Sequence, residues 1–173
     1  MASIIKANQL QDFGGNSILT SDGAGVVTPN ATGIKMTPAF KVNAGSATTL
    51  PNQTYTKVTY SSKVIDTNNC YDTSLSRFTP TVAGEYEISA LARINSSSDF
   101  NDWIISIYKN GTRVQSFQGQ NTHYNSRQLS AIVEFNGSSD YVEVYAYHNQ
   151  GGNVDTEASA EESVFQGFKL IGV

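Results

Sequence analysis

Apolar residues recur at every second position in short runs along this chain, and turn-forming residues separate the runs. Glu85 to Ile94 shows the pattern most plainly. There Tyr86, Ile88, Ala90, Ala92 and Ile94 alternate with Glu85, Glu87, Ser89 and Arg93, and Leu91 is the exception on the polar side. A period of two makes one face of a strand apolar and the other polar. The same reading predicts strands over Thr54 to Tyr60, Trp103 to Lys109, Arg113 to Phe117, Leu129 to Phe135, Tyr141 to His148 and Val164 to Ile171. Asn110-Gly111 and Asn136-Gly137 are hairpin signals, and Pro80 is placed to end one strand and steer the chain into the next. No segment carries helical periodicity. Strands recurring every roughly 8–12 residues, with turns between them, predict an all-β sandwich or barrel.

Residues 1–37 follow a different pattern. Small apolar clusters, Ile4-Ile5, Leu10, Phe13, Ile18-Leu19 and Val26-Val27, are separated by polar and Gly-rich joints. Such a strip has too little apolar surface in one place to bury itself. The stretch from Asn16 to Val27 predicts two short strands around a Ser-Asp-Gly turn, because Gly supplies the positive φ of a tight turn. The chain is therefore expected to divide into an N-terminal anchoring or oligomerisation arm, residues 1–37, and a head domain, residues 38–173. Ile4, Ile5, Leu10 and Phe13 are the arm's expected anchor.

Tyr141 to His148 departs from simple alternation, with Val142, Val144 and Ala146 on one face and Tyr141, Tyr145 and Tyr147 on the other. Its second face must lie under another part of the chain or at a subunit contact, and Tyr suits half-wet contacts because its ring is apolar and its hydroxyl polar. Trp103 shares a face with Ile105 and Ile107 and is expected in the core.

Composition narrows the function classes. The charged fraction is 15% and the formal net charge −4, which leaves no basic surface for phosphate neutralisation; nucleic acid and anionic membranes are disfavoured partners. There is no apolar run long enough for a spanning helix and no signal-peptide layout, so synthesis in the cytosol is expected. Cys70 is the single cysteine, which excludes an intrachain disulfide and a thiolate zinc site. His123 and His148 lack metal-ligand spacing, and no nucleophile–base pair or carboxylate pair is patterned, so the chain is read as a non-enzyme without cofactor or metal. Asp155, Glu157, Glu161 and Glu162 form an acidic segment without EF-hand order. Asp66, Asp72 and Asp140 sit beside turn residues, where local backbone bonding accounts for them. The polar stretch Gln118 to Gln128 is expected to be a loop. At its centre His123, Tyr124 and Asn125 are candidates for glycan binding, since amides and a stacking ring suit a sugar.

Arg77-Phe78-Thr79-Pro80-Thr81-Val82-Ala83-Gly84-Glu85-Tyr86-Glu87-Ile88 resembles the central motif of the complement C1q and tumour-necrosis-factor-like jelly rolls, where Phe, Pro and Gly-x-Tyr lead into a core strand. Ile105 to Gly111 resembles that family's strand ending in an Asn-Gly turn, Asn136 to Val144 its following hairpin, and Ser163 to Leu170 its closing Phe-x-Gly strand. Together these matches span about residues 40 to 173. The resemblance implies a jelly-roll β-sandwich that trimerises, with aromatics of the strand matching Tyr141 to His148 near the three-fold axis. Tyr141, Tyr145 and Tyr147 are thus the expected trimer contact.

The opening, Ser3 to Gln11 followed by Gly14-Gly15-Asn16 and the Ser-Asp-Gly turn, resembles the start of small bacteriophage virion proteins, tail-fibre and decoration proteins among them. The function expected is a trimeric virion protein, either a short tail fibre, spike head or adhesin anchored by its arm, or a capsid decoration (cement) protein that stabilises the head shell. Expected partners are two further copies of the chain, other virion proteins and a host surface glycan.

Overall fold

A computed structural model describes residues 7–31, 34–96, 100–121 and 125–171, and the side chains within them apart from those of 100, 101, 120, 121 and 125. Of the arm's expected anchor, Ile4 and Ile5 lie outside the described residues, as do His123 and Tyr124 of the candidate glycan site. Among the described residues every strand pairing is antiparallel, and the strands form three sheets.

The first sheet belongs to the N-terminal segment and joins β1 (Gln9–Gln11), β2 (Ser17–Ser21) and β3 (Val27–Pro29). The Ser-Asp-Gly turn forms as the sequence predicts. Asp22 Oδ1 accepts from the backbone N–H of Ala24 and Val26, and Gly23 takes φ 79°.

The other two sheets pack face to face. In the larger one, β13 (Asn125–Phe135) pairs with β10 (Gly84–Asn95), then β16 (Val164–Lys169), β4 (Ala39–Asn43) and β7 (Ser62–Asp66) follow in space. At the far end of β10, β15 (Val154–Thr156) replaces β16 and carries β5 (Thr49–Leu50) beside it. The smaller sheet runs β12 (Thr112–Asn121), β11 (Phe100–Lys109), β14 (Val142–His148), β9 (Arg77–Phe78), β8 (Tyr71–Asp72), with β6 (Thr56–Lys57) also on β14. The chain passes from β10 in one sheet to β11 and β12 in the other, returns for β13, and crosses again for β14. This exchange between two packed layers is jelly-roll architecture.

The alternation read from β10 sets the core. Tyr86, Ile88, Ala90, Ala92 and Ile94 all point inward and are buried. They meet Trp103, Ile105 and Ile107 of β11, Val142, Val144 and Ala146 of β14, and Phe165 of β16. Trp103 lies in the core, as the shared face with Ile105 and Ile107 predicts. Phe40 bridges the layers: its ring stacks on Phe78 at 4.1 Å and meets Phe165 edge-on at 4.8 Å. Burying each such side chain contributes about 2 kcal/mol, with offset and edge-on ring contacts adding to it.

Both Asn-Gly turns form. Asn110 and Gly111 take φ 51° and 78°, the mirror-image turn whose twist matches two antiparallel strands. At the second, Asn136 Oδ1 accepts from the N–H groups of Ser138, Ser139 and Asp140. Gly137 has φ 72° there, and a Cβ on it would lie 2.3 Å from Ala83 N, so its smallness holds the turn against the entry to β10.

Two expectations are corrected. Thr54 to Tyr60 is not one strand: only Thr56 and Lys57 pair, while Val58 and Tyr60 remain buried and bond Val144 O and Ser76 Oγ. Side-chain burial kept the alternation after the ladder had ended. Gln118 to Asn121 and Asn125 to Gln128 are strand rather than loop, because β12 runs to Asn121 and β13 starts at Asn125. Neighbours β11 and β10 are long enough to supply backbone partners to these polar residues, and pairing overrides composition.

Candidate functional site

Because Val142, Val144 and Ala146 turn into the sandwich, Glu143, Tyr145 and Tyr147 stand on the outer face of the smaller sheet. On β11 the same alternation puts Ile104, Ser106 and Tyr108 outward, opposite Tyr147, Tyr145 and Glu143 respectively. The result is an aromatic face. Tyr108 and Tyr145 lie 4.4 Å apart between ring centroids, and Tyr147 meets Tyr55, in the segment leading into β6, at 4.9 Å.

Charge is built into that face. Glu143 is 3% exposed, yet its Oε1 accepts from Arg77 Nε at 3.0 Å, Arg77 Nη2 at 2.9 Å and Lys57 Nζ at 3.2 Å. Two cations on one buried carboxylate offset its desolvation. The Arg77 guanidinium also lies 3.7 Å from the Tyr141 ring centroid, a cation–π contact. At the other side Arg113 Nη1 donates to Tyr55 Oη at 2.9 Å. Burial first, and then the Glu143 carboxylate, push the Tyr145 hydroxyl above its ordinary value; burial does the same at Tyr108.

The structure therefore brings Tyr141, Tyr145 and Tyr147 to one face and covers them in part from within the chain, through Arg77, Tyr108 and Tyr55. Alternation along the strand marks this side as apolar and assigns Glu143 no partner. A carboxylate set among tyrosines in a strand apolar on both faces was the available signal, since it requires a cation from elsewhere. Arg77, Lys57 and Arg113 come from distant parts of the chain, and only the folded sheet identifies them.

Elsewhere the candidates separate. Asn125 begins β13, and Leu10 and Phe13 lie in and after β1, where Phe13 is fully exposed. His148 is buried, with Nε2 bonded to Leu50 O at 2.9 Å and Nδ1 accepting from Gln150 N. Asp66 and Asp72 accept backbone N–H groups of their own turns, and Asp140 accepts from Asn136 N and pairs with Lys109. Within the acidic segment Glu162 pairs with Arg93 and Asp155 accepts from Thr49 Oγ1, so the carboxylates diverge. Among the described residues no three His, Cys, Asp or Glu side chains converge as metal ligands.

The larger sheet has its own outer surface. Ile132, Glu87, Phe168 and Ala39 form one row across β13, β10, β16 and β4, and Gln128, Leu91 and Val164 another. Ile132 is 67% exposed.

No protein-family model matches the chain. Over 107 residues, 57% of this chain, it is 23% identical to the phage-like element PBSX protein XkdV of Bacillus subtilis (strain 168), and it spans 16% of that protein. Solved structures resemble it over most of its length. The globular domain of the zebrafish complement 1qA protein aligns with TM-score 0.56 and 19% identity, covering 77% of this chain and 97% of that one. Eiger TNF from S. frugiperda aligns with TM-score 0.60 and 10% identity, covering 78% and 93%. Murine APRIL aligns with TM-score 0.59 and 12% identity, covering 76% and 98%. The chain thus folds as a jelly roll of the C1q and TNF-like type.

Proposed function

We propose that this chain is a bacteriophage virion structural protein without catalytic function: a homotrimer of jelly-roll heads, anchored by the N-terminal segment and presenting the heads outward as a short fibre, spike or adhesin. The observation that carries the reading is the conjunction of this fold with the similarity to a phage-like element protein. Virion localisation belongs to the same proposal.

The trimer contact is assigned to the larger sheet, moved there from the tyrosines expected on sequence. Its outer face offers exposed Ile132 with Phe168, Leu91 and Val164, apolar groups that burial against a second copy would remove from water. Among the described residues, β12 pairs only with β11 and β13 only with β10, which leaves two adjacent sheet edges open. A neighbouring subunit would cover such edges. The tyrosine face already has partners within the chain and remains outside the contact. Leu10, Phe13, Val26 and Val27, all exposed, are the surfaces by which the arm docks into a larger assembly.

Light scattering on the full chain tests the assembly, and immunogold labelling of particles tests its place. A mass of three chains with label at the tail is expected. A monomer overturns the trimer, and label confined to the head shell favours decoration over adhesion.

A further inference from the structure

The geometry points to the tyrosine face of β14, β11 and β6 as a binding surface for an acidic saccharide of the uronate class, with sugar rings on Tyr55 and Tyr147 and a carboxylate against Arg113. This rests on the adhesive half of the proposal above and locates it away from His123, Tyr124 and Asn125.

Two observations carry it. First, the face is aromatic without being simply apolar: Tyr55, Tyr108, Tyr145 and Tyr147 each bring a ring and a hydroxyl, and none is wholly buried. Rigid amphipathic rings of this kind contact the C–H face of a sugar while the hydroxyls bond its rim, at small entropic cost. Second, the face carries a cation that no carboxylate answers. Lys57 and Arg77 are met by Glu143 and by Asp72, in register with Arg77 on β8, whereas Arg113 makes no ion pair among the described residues. Asp102 stands at the opposite end, held by Gln118 and Asn149.

Arg113 is the free end of this arrangement. Its hydrogen-bond partner among the described residues is the Tyr55 hydroxyl, a neutral acceptor, so its planar donors are open to a carboxylate in the bidentate geometry that guanidinium favours. Repetition over three heads would turn weak single sites into firm attachment.

The test is binding of the intact chain to an array of galacturonate, glucuronate and mannuronate oligosaccharides and their neutral methyl esters. At least one acid is expected to bind about tenfold more tightly than its ester, the scale of one charge-assisted contact. Arg113→Gln should reduce the acid to the level of the ester, and Tyr55→Ala should weaken both forms, with mass and melting temperature unchanged. Absence of binding to every acid overturns the inference, as does equal binding of acid and ester. Saccharide binding that survives both substitutions also overturns it, but leaves adhesion standing at another site. Capture of a protein partner without saccharide binding counts against it, and a failed trimer registers separately in the mass.

Discussion

Glu143 shows how much one side chain decides on this molecule. A carboxylate 3% exposed within a strand is tolerable only because Arg77 and Lys57 reach it, and both of those remain partly open to solvent. Glu143→Gln removes the charge and leaves two cations beside each other, so a loss of about 2 kcal/mol is expected in denaturant unfolding, moderated by the exposure of the partners. Glu87 presents the reverse case. Burial among the apolar residues of the larger sheet's outer face raises its carboxyl above the usual range. A raised folded value means that its contribution is most favourable below the unfolded value and is lost as pH rises through the folded one. Glu87→Gln should therefore be more stable than the parent at neutral pH and indistinguishable from it in acid, in melting curves recorded across that range.

At the scale of elements, the sandwich depends on aromatic residues that tie short strands to long ones. β9 has two residues, yet its Phe78 is buried against Phe40 at 4.1 Å, Tyr86 at 5.9 Å and Phe135 at 6.0 Å, contacts with β4, β10 and β13. Phe78→Ala is expected to cost about 3–5 kcal/mol by calorimetry or denaturant titration, the cavity adding to the lost burial. The N-terminal sheet behaves differently, because β1 is exposed throughout and Phe13 packs on nothing described. A chain beginning at Pro38 should keep the melting temperature of the head and lose incorporation into particles. Incorporation of that truncated chain would remove the anchoring role.

Across the whole molecule the proposed division of labour puts assembly on one sheet and recognition on the other. Ile132→Arg places a charge in the middle of the proposed contact, where a second copy would have to desolvate it. Monomeric mass with an unchanged circular dichroism spectrum is expected; a trimer that persists would exclude this face as the contact.

The alternation in residues 85–94 and the two Asn-Gly turns determined strands and hairpins from sequence, because these signals are local: period two and positive φ act within a few residues; the jelly-roll class followed from the resemblance carried by the Phe, Pro and Gly-x-Tyr run. What lay beyond reach was long-range. Glu143 finds Lys57 and Arg77 from 86 and 66 residues away, Tyr55 meets Tyr147, and polar Gln118 to Asn121 become strand because β11 offers them backbone partners. The charge and cover of the tyrosine face were set by sheet pairing, which brings together residues with no mark of each other in the linear chain, and tertiary structure alone decided them.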